Sequence, residues 1–236
     1  MDDRSATKPL ALLIPGLDGT GRLFCRQVAA LQVRYRVLAW EFRKRPRFEL
    51  AELVEELAEG TCREASGSVA VVGESFGGMV AISYVLACPE RVRSLTLINA
   101  FPVYRRRLRI SLACHLLPTL QWPGLRRLKD LIADRILAGE GVTAEARRTY
   151  YEVIRSVDME AYRQRLEIVR RVDLAVRLSE IKAPTLLLAS GRDKLVPSVK
   201  EARFMAARIP HSRLYEFPRA GHALLLTPGF QLADYI

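Results

Sequence analysis

The sequence predicts an α/β protein in which a mostly parallel, doubly wound sheet of about six strands is interrupted by a helical insertion. Three observations carry that prediction. Short continuous apolar runs, with the length of strands buried on both faces, alternate with amphipathic helical stretches, and parallel neighbours need the right-handed crossovers that such helices supply. From Phe101 to Leu178 the alternation stops and only helical periodicity remains. The chain has 236 residues, enough for one large core or one core with an inserted lid.

Each element follows from a local pattern. Leu10 to Ile14 is an apolar run ended by Pro15 and Gly16, and Tyr35 to Phe42 is a second; both read as strands buried on both faces. Gly21 to Leu31 reads as the helix between them. Phe48 to Ala65 carries Leu50, Leu53, Val54, Leu57 and Ala58 at helical spacing, with acids on the other face. Ser68 to Val72 is the next strand, Phe76 to Ala87 the next helix, closed by Cys88 and Pro89, and Ser94 to Ile98 the strand after that. Thr185 to Ala189 and Arg213 to Phe217 complete the strands, separated by a helix over Ser198 to Arg208 that Pro210 stops.

The insertion divides into helices over Tyr104 to Leu117, Gly124 to Leu137, Thr143 to Ser156 and Asp158 to Leu174, with Thr143 and Asp158 as N-caps. It enters directly after a strand's C-terminal end, where open parallel sheets bind ligands, and so reads as a lid. The expected division is a core of residues 1–100 and 179–236 with a cap of residues 101–178. Leu112, Leu116, Leu117, Leu120, Trp122, Leu125, Leu128 and Ile132 suit a lid that packs mostly on itself and partly lines an apolar pocket.

Composition excludes several classes. Half of the residues are hydrophobic and 27% are charged, as in a soluble globular protein rather than a channel or a disordered tail. No apolar run reaches the ~20 residues needed to cross a bilayer, and MDDRSATKPL carries two acids where a signal peptide would be basic and then apolar, so a cytoplasmic location is expected. Cys25, Cys62, Cys88 and Cys114 are far apart and form no C-x-x-C pair. They read as buried or half-buried thiols, with no metal site, disulfide framework or organic cofactor expected. The net charge of +11 comes mostly from arginines scattered beside acids in amphipathic helices, without a nucleic-acid-binding motif. No nucleic-acid partner is expected; the cluster Arg105, Arg106, Arg107 and Arg109 suits at most transient contact with an anionic surface. No pattern encodes the oligomeric state.

The chemistry is sought around VVGESFGGMV. Gly73, Ser75 and Gly77 fit G-x-S-x-G, which gains meaning because a strand precedes it and a helix begins at Phe76. Gly73 and Gly77 give room for a sharp turn, and Gly78 lets helix and sheet approach closely. A serine hydroxyl needs a neighbouring base, and the base needs a third group to hold it. Of the three histidines, His115 lies in an apolar helical stretch and reads as packed, and His211 sits on a turn and reads as solvated. His222, in AGHALL just beyond the last strand, is the candidate base. Asp193, in SGRDKLVP after the strand TLLLAS, is the candidate acid, because Asp130, Asp134, Asp158 and Asp173 lie in the insertion and Asp18 precedes the serine. Oxyanion donors are expected from the backbone N–H of Phe76, at a helix N-terminus, and of Leu17, in the loop PGLDGTG. That loop lacks the G-K-[ST] of a phosphate-binding P-loop and matches no dinucleotide fingerprint.

Together, PGLDGTG, GESFGG, GRDKLVP and AGH, in this order, resemble the α/β-hydrolase fold superfamily over almost the whole chain. PGLDGTG paired with GESFGG is also similar to a subset of bacterial hydrolases and to plastid esterase-acyltransferases acting on fatty acyl and phytyl esters. The chain departs from the common pattern at Pro15-Gly16, where His-Gly is usual, and at Glu74, where His is frequent. It begins shortly before its first strand, so the two leading antiparallel strands of the full family sheet are expected to be absent. The resemblance implies hydrolysis of a small-molecule carboxylic ester or thioester through an acyl-enzyme, with acyl transfer or a hydrolase-like small-molecule receptor as alternatives.

Overall fold

The computed structural model describes residues 8–43, 45, 47–116 and 142–236. Six strands form one parallel sheet: β1 (Leu10–Ile14), β2 (Arg36–Ala39), β3 (Val69–Glu74), β4 (Val92–Ile98), β5 (Thr185–Ser190) and β6 (Ser212–Phe217), in the spatial order β2-β1-β3-β4-β5-β6. Helices α1 (Cys25–Leu31), α2 (Leu50–Glu64), α3 (Phe76–Ala87) and α7 (Ser198–Ala206) make the crossovers; α4 (Arg107–Leu116), α5 (Ala144–Ser156) and α6 (Met159–Arg171) lie between β4 and β5.

Strand alternation divides the core between the two faces of the sheet. Leu10, Leu12 and Ile14 join Leu57 of α2 and Met79 and Ile82 of α3, whereas Ala11 and Leu13 join Leu31 of α1 and Leu224, Leu225 and Leu232 near the C-terminus. α3 is apolar nearly all round because it is buried nearly all round; Met79, Val80, Ala81, Ile82 and Tyr84 are inaccessible to solvent. α2 opens on a reciprocal capping box between Glu49 and Glu52.

The two outermost strands correct one expectation. β2 is half-exposed rather than buried on both faces and ends at Ala39 instead of running to Phe42, and β6 is half-exposed as well. The sheet order puts both at its edges, where one flank has no strand neighbour among the described residues, and β6 accordingly carries Arg213 and Glu216 among its apolar residues. Cys25 and Cys62 are exposed and Cys88 is half-buried, so two of the thiols expected inside lie on outer helix surfaces. His115 is likewise exposed on α4, its Nδ1 2.8 Å from the Ser111 carbonyl one turn back, and Leu112 is 60% exposed. The expected helix over Gly124–Leu137 and most of the apolar residues expected with it lie outside the described residues.

The segment between β4 and β5 is tied at its neck. Val103 and Asp173 form an antiparallel bridge, and the Leu174 N–H donates to the Pro102 carbonyl at 3.0 Å. α5 and α6 begin at the expected caps: Thr143 Oγ1 accepts from the Ala146 N–H at 3.1 Å, and Asp158 Oδ1 from the Ala161 N–H at 2.9 Å. No helix among the described residues is long and apolar enough to cross a membrane.

Candidate active site

The C-terminal edge of the sheet collects the candidate residues because every parallel strand delivers its following loop there. β3 turns into α3 at Ser75, whose backbone takes φ 54° and ψ −118°, a conformation that costs a non-glycine residue about 1–3 kcal/mol. The surroundings enforce it: the Ser75 N–H donates to the Ile98 carbonyl at 2.9 Å and its carbonyl accepts from the Gly78 N–H at 3.0 Å. A Cβ at Gly77 would lie 2.3 Å from the Ile14 carbonyl oxygen, and one at Gly78 would lie 2.2 Å from the Ala100 Cβ. The glycines thus let the start of α3 press against the ends of β1 and β4.

Ser75, His222 and Asp193 meet in one hydrogen-bonded chain. The Ser75 Oγ lies 3.0 Å from His222 Nε2, and His222 Nδ1 lies 2.6 Å from Asp193 Oδ2. All three side chains are almost fully buried. The Asp193 carboxylate is held from every side: Oδ1 accepts from the Leu195 and Val196 N–H groups, both at 2.9 Å, and Oδ2 also accepts from the Ser198 hydroxyl. With Asp193 accepting only, Nδ1 of His222 must donate to it, which leaves Nε2 free to accept from the Ser75 hydroxyl.

Charge follows from this packing. Burial opposes ionisation of Asp193, but His222, the Ser198 hydroxyl and the Val196 N–H outweigh it, so its carboxyl stays below its usual range. Burial likewise opposes a cationic His222, but the carboxylates of Asp193 and Glu74 prevail and raise it above the 6.5 of a free histidine to about 9. Glu74, beside Ser75, has its Oε1 3.8 Å from His222 Nε2. Burial, with Asp18 and Asp193 nearby, pushes Glu74 up to about 7, against the pull of His222 and of the Gly16 N–H.

Leu17 lines the same place, and Phe76 directly follows Ser75. Phe76 is the first residue of α3, so its N–H is among the first-turn amides without a helical acceptor. Leu17 lies in the turn closed by the Gly19 N–H donating to the Gly16 carbonyl at 3.1 Å. A cleft of about 50 Å³ opens over Ser75 and His222, bounded by Leu17, Leu23, Tyr150, Ile154, Tyr162 and Leu195. Its far wall, Tyr150 and Ile154 on α5 and Tyr162 on α6, comes from the insertion. Among the described residues no group of three or more His, Cys, Asp or Glu side chains is arranged to hold a metal ion. His211 is exposed, as expected, and stands apart from this constellation.

Asn99 was not anticipated from the sequence. At φ 48° directly after β4, it donates Nδ2 to the His222 carbonyl at 2.7 Å and to Ser190 Oγ at 3.0 Å, and accepts from the Ser190 N–H at 2.8 Å. It ties the histidine loop to β5. Its position at the end of the strand SLTLI was the available signal. Tyr150 and Tyr162 gave none, since their place depends on how α5 and α6 dock.

Known proteins share this architecture. "Putative carbamate hydrolase RutD" of Klebsiella pneumoniae is 26% identical over 236 residues, covering 93% of this chain and 86% of the relative. A hydrolase from Pseudomonas aeruginosa superimposes with a TM-score of 0.80 at 23% identity, over 92% of this chain and 84% of its own. The esterase EaEST from Exiguobacterium antarcticum gives 0.83 at 19% identity, over 94% and 87%. The sequence model of the alpha/beta hydrolase family matches residues 11–235. With a parallel six-stranded sheet, a strained serine corner at its C-terminal edge and a family match over nearly its full length, the chain belongs to the alpha/beta hydrolase family.

Proposed function

We propose that the protein is a serine hydrolase that cleaves a small carboxylic ester or thioester through an acyl-enzyme on Ser75. The observation that carries this reading is the unbroken chain from Asp193 through His222 to a serine held at φ 54°. His222 Nε2 takes the Ser75 proton as Oγ bonds to the acyl carbon, and the carbonyl oxygen becomes an oxyanion bound by the N–H groups of Leu17 and Phe76. His222 then returns the proton to the departing alcohol or thiol. Water repeats the sequence from the other side and releases the acid and Ser75. Asp193 holds the imidazole and offsets its transient positive charge. Residues 1–100 and 179–236 act as the catalytic core and residues 101–178 as a cap, a division supported by the neck at Val103 and Asp173 and by the tyrosines that α5 and α6 contribute to the cleft. The setting is cytoplasmic.

A fluorophosphonate probe tests the nucleophile. The wild type is expected to be labelled once, on the peptide containing Ser75, and Ser75→Ala to remain unlabelled; labelling that persists in Ser75→Ala would reject the assignment.

The name of the RutD relatives favours a second acyl class, carbamates, and the small cleft favours short acyl groups of either kind. p-Nitrophenyl acetate, hexanoate and N-methylcarbamate share a leaving group, so kcat/KM across the three ranks the acyl part alone. Acetate or carbamate is expected to exceed hexanoate by about tenfold or more, the scale on which a pocket discriminates chain length. A preference for hexanoate would contradict the size argument.

The pH response follows from His222. Only neutral imidazole can accept the Ser75 proton, so kcat/KM is expected to rise with pH through a midpoint above 6.5. Because Glu74 favours the cation, Glu74→Gln is expected to move that midpoint to lower pH by about one pH unit. An unmoved midpoint would show that Glu74 does not act on the base.

A further inference from the structure

Arg165 is an arginine of α6, in the proposed cap, that is only 3% exposed. Its helix neighbours keep their charges at the surface, Arg163 pairing with Glu160, Arg170 with Glu167 and Arg171 with Glu49. Arg165 instead turns its guanidinium onto the loop after β1. Nε donates to the Leu17 carbonyl at 2.8 Å and Nη2 to the Asp18 carbonyl at 3.2 Å. The contact extends to Gly19, where φ is +72° and a Cβ would fall 2.7 Å from both Cζ and Nη1. A buried cation persists only where its donors are satisfied, so this arrangement depends on the loop as much as the loop depends on it.

The loop is fixed at its other end as well. The Glu74 carboxylate, beside Ser75, packs on Gly16, where a Cβ would fall 2.4 Å from Oε2, and the Gly19 N–H closes the turn on the Gly16 carbonyl. Glu74 therefore packs on the first residue of the turn, and Arg165 holds the carbonyls of the next two. Between these anchors lies the Leu17 N–H, with little freedom to rotate. We propose that Arg165 is a positioning residue for the reaction: docked from the cap helix, it fixes the peptide planes of the Gly16–Gly19 turn and so aims the Leu17 N–H at the oxyanion. The inference rests on the Ser75 acyl-enzyme reading. Its consequence is that docking of α6 and competence of the oxyanion site are one event, because a displaced α6 withdraws the guanidinium from both carbonyls.

Arg165→Met and Arg165→Lys test this, with p-nitrophenyl acetate as substrate and trifluoroacetone as a probe whose hemiketal carries the same oxyanion. Methionine removes both donors; lysine can restore one. In Arg165→Met, kcat is expected to fall about 30-fold or more, KM to stay within a factor of about three, and trifluoroacetone affinity to fall in step with kcat. Arg165→Lys is expected to lie between Arg165→Met and the wild type in both readouts. A residue that only glued the cap down would lower the urea midpoint and leave both readouts intact. The proposal is overturned if folded Arg165→Met keeps kcat and ketone affinity within a factor of about three of wild type, or if its KM alone rises. Should Arg165→Met fail to fold, Arg165→Lys is read by the same criteria. A wild-type enzyme that does not bind the ketone would instead sink the Ser75 reading beneath the proposal.

Discussion

Replacing His222 by alanine is expected to lower kcat by about 10⁴-fold or more while leaving the protein folded. On the proposed mechanism the imidazole is the base that makes the Ser75 oxygen nucleophilic and the acid that releases the leaving group. No other histidine can substitute, since His115 and His211 are both exposed and outside the cleft. The fold should tolerate the change because the Asp193 carboxylate keeps its bonds from the Leu195 and Val196 N–H groups and the Ser198 hydroxyl. Steady-state turnover of p-nitrophenyl acetate, with a circular-dichroism melt of the same sample, checks both halves. A folded His222→Ala protein within about tenfold of wild-type kcat would remove the base from the mechanism.

Asp193→Asn is expected to cost about as much, on the order of 10⁴-fold in kcat, by a different route. The two backbone donors at Oδ1 require an acceptor there, so the amide nitrogen must take the Oδ2 side, facing His222 Nδ1. Two donors cannot share that contact. Nδ1 becomes the acceptor, the proton moves to Nε2, and Nε2 then meets the Ser75 hydroxyl with a hydrogen in place of a lone pair. The loss of the carboxylate also removes the charge that raises His222. The residual pH profile is therefore diagnostic: the remaining activity is expected to have its acid limb at lower pH than the wild type. A variant retaining wild-type kcat, or the same midpoint, would show that Asp193 neither holds nor charges the imidazole.

The sequence carried these residues unevenly, for physical reasons. Ser75 was legible because a turn this sharp demands glycines at fixed offsets, and Gly77 and Gly78 prove to stand where a Cβ would strike Ile14 and Ala100. Asp193 and His222 were legible because parallel strands release their loops at one edge, so position after a strand implies position in space. Tyr35 to Phe42 was read as buried on both faces, and β2 proves half-exposed, because local apolarity does not encode lateral order in the sheet. Arg165 carried a signal in its helical spacing, four residues after Ala161 and three and four before Ile168 and Val169, which sets it on the buried face of α6 away from Arg163 and Arg171; what its guanidinium grips there depends on how the helix docks. Asn99 could have been found by extending to β4 the rule that was applied to β3 and β5, since it too follows a strand at the same edge.

The most direct test of the central claim is the mass of the protein quenched in acid during turnover of p-nitrophenyl acetate. The proposed mechanism predicts a fraction of molecules heavier by one acetyl group, mapped to the peptide containing Ser75, increased when Asp193→Asn slows deacylation more than acylation, and absent from Ser75→Ala. An acetyl group on any other residue, or steady turnover by Ser75→Ala at the wild-type rate, would contradict it.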